Sequence, residues 1–147
     1  MPYVVIQMAT RTFSARWDAA TVDQLARHSV AAGTTKSRLA ERYVEEGLRT
    51  DEHPGIVFRG GPSGRRAALA AGPDVWEVIS TVSGTNVKGD KAIAAAAEVL
   101  DLTSQQVRSA VRYYSEYREE IDERIRRNVE EAEAAEAAWR REQAALA

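Results

Sequence analysis

Arg11-Thr12-Phe13-Ser14-Ala15-Arg16-Trp17-Asp18, followed after one short helical stretch by Gly33-Thr34-Thr35-Lys36-Ser37, decides how the first third of this chain is read. Phe13, Ala15 and Trp17 alternate with Thr12, Ser14 and Arg16, the period-2 pattern of a half-buried strand. One face of such a strand packs on a core. The other offers two hydroxyls and a guanidinium, groups that hydrogen-bond base edges in a DNA major groove. A lone strand this short does not persist in water and needs a second strand and helices beneath it. Asp18 is placed to cap a helix carrying Val22, Leu25, Ala26 and Val30 at helical spacing. Gly33 stands where a left-handed residue stops that helix. Thr35 then caps a second helix with Leu39, Ala40, Tyr43, Val44 and Leu48 on one side.

Strand, helix, Gly-x-Ser/Thr-x-Ser turn and helix, in that order, resemble the ribbon-helix-helix family of DNA-binding proteins, the CopG, Arc and MetJ type. The likeness covers about residues 10–49, with Ala15 where a larger aliphatic is usual and Trp17 where Leu is usual. It implies that two protomers pair their strands antiparallel into a ribbon that enters the major groove. Thr12, Ser14 and Arg16 would then face double-stranded DNA, and Phe13, Ala15 and Trp17 the homodimer core. Thr35, Lys36 and Ser37 would hold a phosphate. A helix N-terminus suits that role through its free N–H groups and positive dipole end, and Lys36 adds charge. A plainer reading stands beside this one: Thr35 and Ser37 are simple helix caps, and Arg16 is a solvated edge-strand charge.

Composition bounds the rest. With 147 residues the chain is one compact domain or two small ones. It has no cysteine, which excludes disulfides and thiolate metal sites and suits a cytoplasmic setting. Met1–Met8 is apolar but short and lacks a basic start, so it is expected to add β structure or cover the ribbon core rather than to act as a signal peptide. No run approaches the ~20 apolar residues of a membrane helix, and no membrane partner is expected. The net charge of −2 is unevenly spread. Residues 1–50 carry seven Lys/Arg against five Asp/Glu, residues 51–117 seven against eight, and residues 118–147 six against nine. The basic excess therefore lies with the expected DNA reader and the acidic excess at the other end.

Three segments follow: a ribbon-helix-helix over 1–50, a small hairpin-plus-helix domain over 51–117, and a long helix over 118–147. The expected fold class is mainly α with short β elements. His53-Pro54-Gly55 breaks the helical pattern. Ile56–Arg59 and Arg66–Leu69 flank Gly60–Gly64 as a β-hairpin, and Gly72-Pro73 ends it. Asp74 caps a helix through Val75, Trp76, Val78, Ile79 and Val82. An Ala-rich helix over about Lys91–Leu100 and a turn at Asp101-Leu102 precede a helix capped by Thr103, with Val107, Ala110, Val111 and Tyr114 inward. The last two helices have the form of a helix-turn-helix. Ser104, Gln105, Arg108 and Arg112 would then lie along an exposed recognition face as a second DNA contact. The alternative, that they are ordinary solvated surface, is slightly favoured because the segment is not basic.

His53-Pro54-Gly55-Ile56, the Arg59-to-Arg66 hairpin, Asp74-Val75-Trp76-Glu77 and the run from Leu102 through Tyr114 together resemble a small bacterial winged-helix-like domain, of the kind described as a VapB-type antitoxin, over about residues 52–125. That resemblance implies a PIN-like ribonuclease toxin as partner. Residues 118–147 lack Gly and Pro and are rich in Ala, Glu and Arg, as one long helix would be. Ile121, Ile125, Val129, Ala132, Ala135 and Trp139 recur at spacings of three and four, a thin apolar stripe on a charged rod. Ile121, Ile125, Val129 and Trp139 are the candidate toxin-binding residues, with Trp139 either an interface anchor or folded back on its own domain. The Glu119–Glu123 charge run reads as a solvated face paired with Arg124, Arg126 and Arg127.

Nothing in the pattern builds a catalytic site. Only two histidines exist: His28 is expected at a solvent edge of the first helix, and His53 beside Pro54 at a boundary. The Gly60–Gly64 loop lacks the strand, Lys and helix of a phosphate-binding loop. No enzyme, cofactor or metal site is expected. The leading expectation is an antitoxin that binds operator DNA as a dimer, represses its own operon and neutralises a ribonuclease toxin. The alternatives are a stand-alone ribbon-helix-helix transcription regulator and a protein whose strand only pairs with other β edges.

Overall fold

A computed structural model describes residues 9–147, so the expectation for Met1–Met8 lies outside the described residues. Among them are α1 (Ala19–Ala31), α2 (Lys36–Glu52), β1 (Ile56–Arg59), β2 (Arg66–Leu69), α3 (Val75–Ser83), α4 (Asp90–Leu100), α5 (Ser104–Glu116) and α6 (Arg118–Leu146). The molecule is mainly helical, with one two-stranded antiparallel sheet and a long last helix. None of its helices is long and apolar enough to cross a membrane among the described residues.

The chain divides into two compact units, Met1–Tyr43 and Val44–Ala147. In the first, Asp18 caps α1 by accepting from the Ala20 amide at 3.2 Å. Gly33 follows the end of α1 with φ +63°, the left-handed backbone that a residue without Cβ adopts at no steric cost. Thr35 Oγ1 accepts from the Arg38 amide at 3.2 Å and opens α2. Leu39 is buried in this unit, and Val22, Leu25 and Ala26 are half-buried. Val30 departs from expectation. It is exposed in the last turn, and Ser29 is the buried residue there, its hydroxyl donating to the Ala26 carbonyl at 2.8 Å.

The second unit has a contiguous core. β1 and β2 pair in the register Ile56↔Leu69 to Arg59↔Arg66. Ile56, Ala67 and Leu69 from the hairpin meet Val75, Val78 and Ile79 of α3, Ala96 and Ala97 of α4, Val107, Ala110 and Tyr113 of α5 and Ile121 of α6. The expected caps form. Asp74 and Glu77 make a capping box at α3, with the Asp74 amide donating to Glu77 at 2.9 Å. Thr103 and Gln106 make another at α5. On α5 the expected inward Tyr114 is half-buried and packs against the core, but its neighbour Tyr113, not among the expected inward residues, is the fully buried one. Val107, Ala110 and Tyr113 continue one face at spacings of three, which leaves Tyr114 at its edge.

α2 continues to Glu52, so the break at His53-Pro54 ends a helix, whereas the compact units divide earlier, inside that helix. The reason lies in side chains of its second half. Arg65 donates to Glu46 at 2.6 and 2.7 Å, and Arg49 reaches Tyr113 and Glu120, which ties that half to the second unit. α6 belongs to the same unit. It is separated from α5 by a departure from helical backbone at Tyr117 (φ −116°, ψ 41°). It buries Ile121 and half-buries Ile125, and beyond them it is an almost wholly exposed rod.

Candidate interaction surfaces

In the first unit the expected reader residues are all exposed. Thr12, Ser14 and Arg16 lie in residues 9–18, which carry no regular secondary structure. The expected strand at 11–18 is thus not formed, and the physical reason is that among the described residues it has no neighbouring strand to supply a hydrogen-bonded ladder. Phe13 is 87 % and Trp17 52 % exposed. Thr35, Lys36 and Ser37 are exposed at the start of α2. The apolar side chains expected along α2 divide into two kinds: Leu39 is buried and Ala40 half-buried, but Tyr43, Val44 and Leu48 are 46–58 % exposed. His28 is exposed, as its position on α1 suggested.

In the second unit Ser104, Gln105, Arg108 and Arg112 are exposed on α5, as the expected outward face requires. Arg108 pairs with Asp90 at 2.9 Å, so part of that face is already neutralised within the chain. The arginines of the hairpin serve the fold. Arg59 donates to the carbonyls of Gly72 (2.8 Å) and Leu69 (2.6 Å), and Arg66 pairs with Asp74. With Arg65 held by Glu46, none of the three is an uncommitted charge.

The buried Tyr113 on α5 centres a polar hub that no local pattern announces. Tyr113 donates to Glu120 at 3.2 Å and accepts from Arg49 at 2.9 Å, while Arg49 also pairs with Glu120 at 2.7 Å. The guanidinium stacks 4.1 Å above the Tyr117 ring. Burial first, and the Glu120 carboxylate second, push the Tyr113 phenol above its ordinary range. The acidic run on α6 is accordingly only partly paired within its own helix. Glu123 binds Arg126 and Arg127, but Glu120 serves Arg49 on α2 and Asp122 accepts from Tyr114 on α5 at 2.8 Å. Arg124 donates to the Ser63 carbonyl rather than to a carboxylate. Arg49 also pairs with Glu45 one turn earlier at 3.0 Å, but no local sequence signal marks its link to Tyr113 and Glu120, which lie more than sixty residues away.

The candidate toxin-binding residues separate into two groups. Ile121 is buried in the core and Ile125 packs against it, so both hold α6 to its own unit. Val129 (50 % exposed) and Trp139 (59 % exposed) lie on the exposed outer part of α6. Comparison with known proteins matches no family model, no curated protein and no solved structure.

Proposed function

We propose that this protein is the antitoxin of a type II toxin–antitoxin pair, a cytoplasmic homodimer that binds operator DNA, represses its own operon and neutralises a PIN-like ribonuclease. One observation carries the DNA half of this reading. The groups assigned to a ribbon core, Phe13 and Trp17, stand in water in the single chain, beside a polar triad that is equally accessible. Burying two such side chains against a second copy is worth about 1.5–3 kcal/mol each. That pairing would turn residues 11–17 into a two-stranded ribbon with Thr12, Ser14 and Arg16 on its outer face. The exposed N-terminus of α2, at Thr35, Lys36 and Ser37, would supply a phosphate clamp. The toxin half is supported by α6, whose outer portion keeps an apolar stripe uncovered. Asn128–Trp139 carries four glutamates and no Lys or Arg, a charge suited to the basic groove of an RNA-cutting enzyme.

The DNA half is tested by gel shift on the promoter region of the protein's own operon over a salt series. Arg16→Ala is expected to lose mainly sequence preference, since a base-reading contact supplies ~1–3 kcal/mol of discrimination. Lys36→Ala is expected to weaken binding to every sequence and to lower the salt slope by about 0.9 for each phosphate contact removed. Identical behaviour of the two variants would refute this division of labour. The toxin half is tested by co-expression with the product of the neighbouring gene and assay of ribonuclease inhibition.

A further inference from the structure

In the second unit the C-terminal ends of α2 and α5 border a hollow of about 160 Å³, lined by Glu52, His53 and Glu116 together with Ser109, Arg112 and Ser115. His53 is 7 % exposed. Its imidazole is held edge-on by Tyr113 (5.3 Å, 74°) and Tyr117 (5.9 Å, 71°), so aromatic walls fix the plane of the ring. Nε2 is directed at Glu116, with Oε2 3.2 Å away. One ligand atom from each of Glu52, His53 and Glu116 lies within 4.8 Å of the others.

A histidine–carboxylate pair alone would need only Glu116. Here a second carboxylate, Glu52, stands on the same rim without a side-chain hydrogen bond or ion pair among the described residues. Arg112, the cation nearest to hand on the lining, bonds neither carboxylate. Both carboxylates also sit at negative helix ends, since Glu52 closes α2 and Glu116 closes α5. Two carboxylates and an immobilised imidazole thus stand within 4.8 Å of one another beside two helix C-termini, and each favours a cation there.

We propose that Glu52, His53 and Glu116 bind one divalent transition-metal ion of the zinc type, with water in the fourth position. The donor set fits that ion. Tetrahedral N and O ligands at about 2.0–2.2 Å from zinc stand about 3.3 Å apart, close to the separation that His53 and Glu116 already have. Glu52 is exposed, and with its ligand atom already within 4.8 Å of the other two, a side-chain rotation would close the remaining distance. An imidazole ligand favours zinc over magnesium or calcium. The bound ion would brace the end of α2 against the end of α5, a stabilising role independent of the DNA and toxin functions proposed above.

Zinc chloride titrated calorimetrically into the full chain, with thermal unfolding in parallel, tests this. The expected result is one ion per chain, a raised Tm, and no comparable effect of magnesium. Glu52→Gln and Glu116→Gln alter exposed side chains and leave the fold intact, and each should weaken zinc binding at least about tenfold. His28→Ala, which removes the only other histidine, should leave it unchanged. A Tm insensitive to zinc, binding indifferent to both glutamate variants, or binding lost with His28→Ala would overturn the proposal.

Discussion

Tyr113 illustrates how one side chain holds several elements of the second unit. Its ring is fully buried, stacks on Tyr117 at 4.6 Å and meets Phe58 edge-on at 6.4 Å. Its hydroxyl joins Arg49 of α2 to Glu120 of α6. Tyr113→Phe keeps the packing and removes those hydrogen bonds, so a loss of about 1–2 kcal/mol is expected. Tyr113→Ala adds a cavity and should cost about 3–5 kcal/mol. Urea unfolding of the full chain followed by circular dichroism separates the two, and a Phe variant as stable as the parent would show that the hydroxyl network contributes nothing net. Asp101 is a simpler case. It is the one non-glycine residue with positive φ (53°) among those described, at the end of α4. Asp101→Gly should therefore raise stability by about 1 kcal/mol or less in the same assay, because Gly avoids the Cβ clash of the left-handed backbone.

Among the elements, α6 depends most on its own sequence. Its 29 residues extend about 43 Å, and only its first two turns meet the core. The rest is supported by pairs such as Arg126–Glu130 and Arg140–Glu136. Hydrogen bonds from Arg126 and Arg127 lower the Glu123 carboxyl from its ordinary 4.5 to about 2. A depressed carboxyl stabilises the folded form above its unfolded pKa, and that contribution disappears as pH falls through the folded value. Helical content measured at 222 nm should therefore decline between about pH 4.5 and 2, and less so in high salt, which already screens these exposed pairs. Trp139 gives the sharper test of purpose. Because it is exposed, Trp139→Ala should change stability by less than about 0.5 kcal/mol. If it anchors a toxin, the same change should cost more than about 2 kcal/mol of binding. A variant that co-purifies with the toxin undiminished would remove the outer part of α6 from the interface.

For the whole molecule the decisive property is oligomeric state. Phe13 is 87 % exposed in one chain, so Phe13→Asp leaves the fold of that chain undisturbed. In the proposed dimer the same substitution buries two carboxylates in an apolar ribbon core, a cost no neighbouring group offsets. Light scattering should show a monomer of unchanged helical content, and gel shift should show no operator binding. A dimer of normal mass carrying Phe13→Asp would rule out pairing through residues 11–17 and leave an interaction protein of another kind.

Local patterns alone determined the caps at Asp18, Thr35, Asp74 and Thr103, the left-handed stop at Gly33, the hairpin from Ile56 to Leu69 and the long last helix. Each depends on hydrogen bonds and side chains a few residues apart, and that information is contiguous in the chain. Which of two adjacent tyrosines enters the core, which arginines are spent on carbonyls of a turn, and which glutamates of α6 face a distant helix were decided only by tertiary structure. Arg49 with Glu120 and His53 with Glu116 are separated by 71 and 63 residues, so no periodicity records them. The Arg11–Asp18 alternation stands between these cases. The sequence supplies an apolar and a polar face, but a strand is defined by its neighbour, and among the described residues these have none.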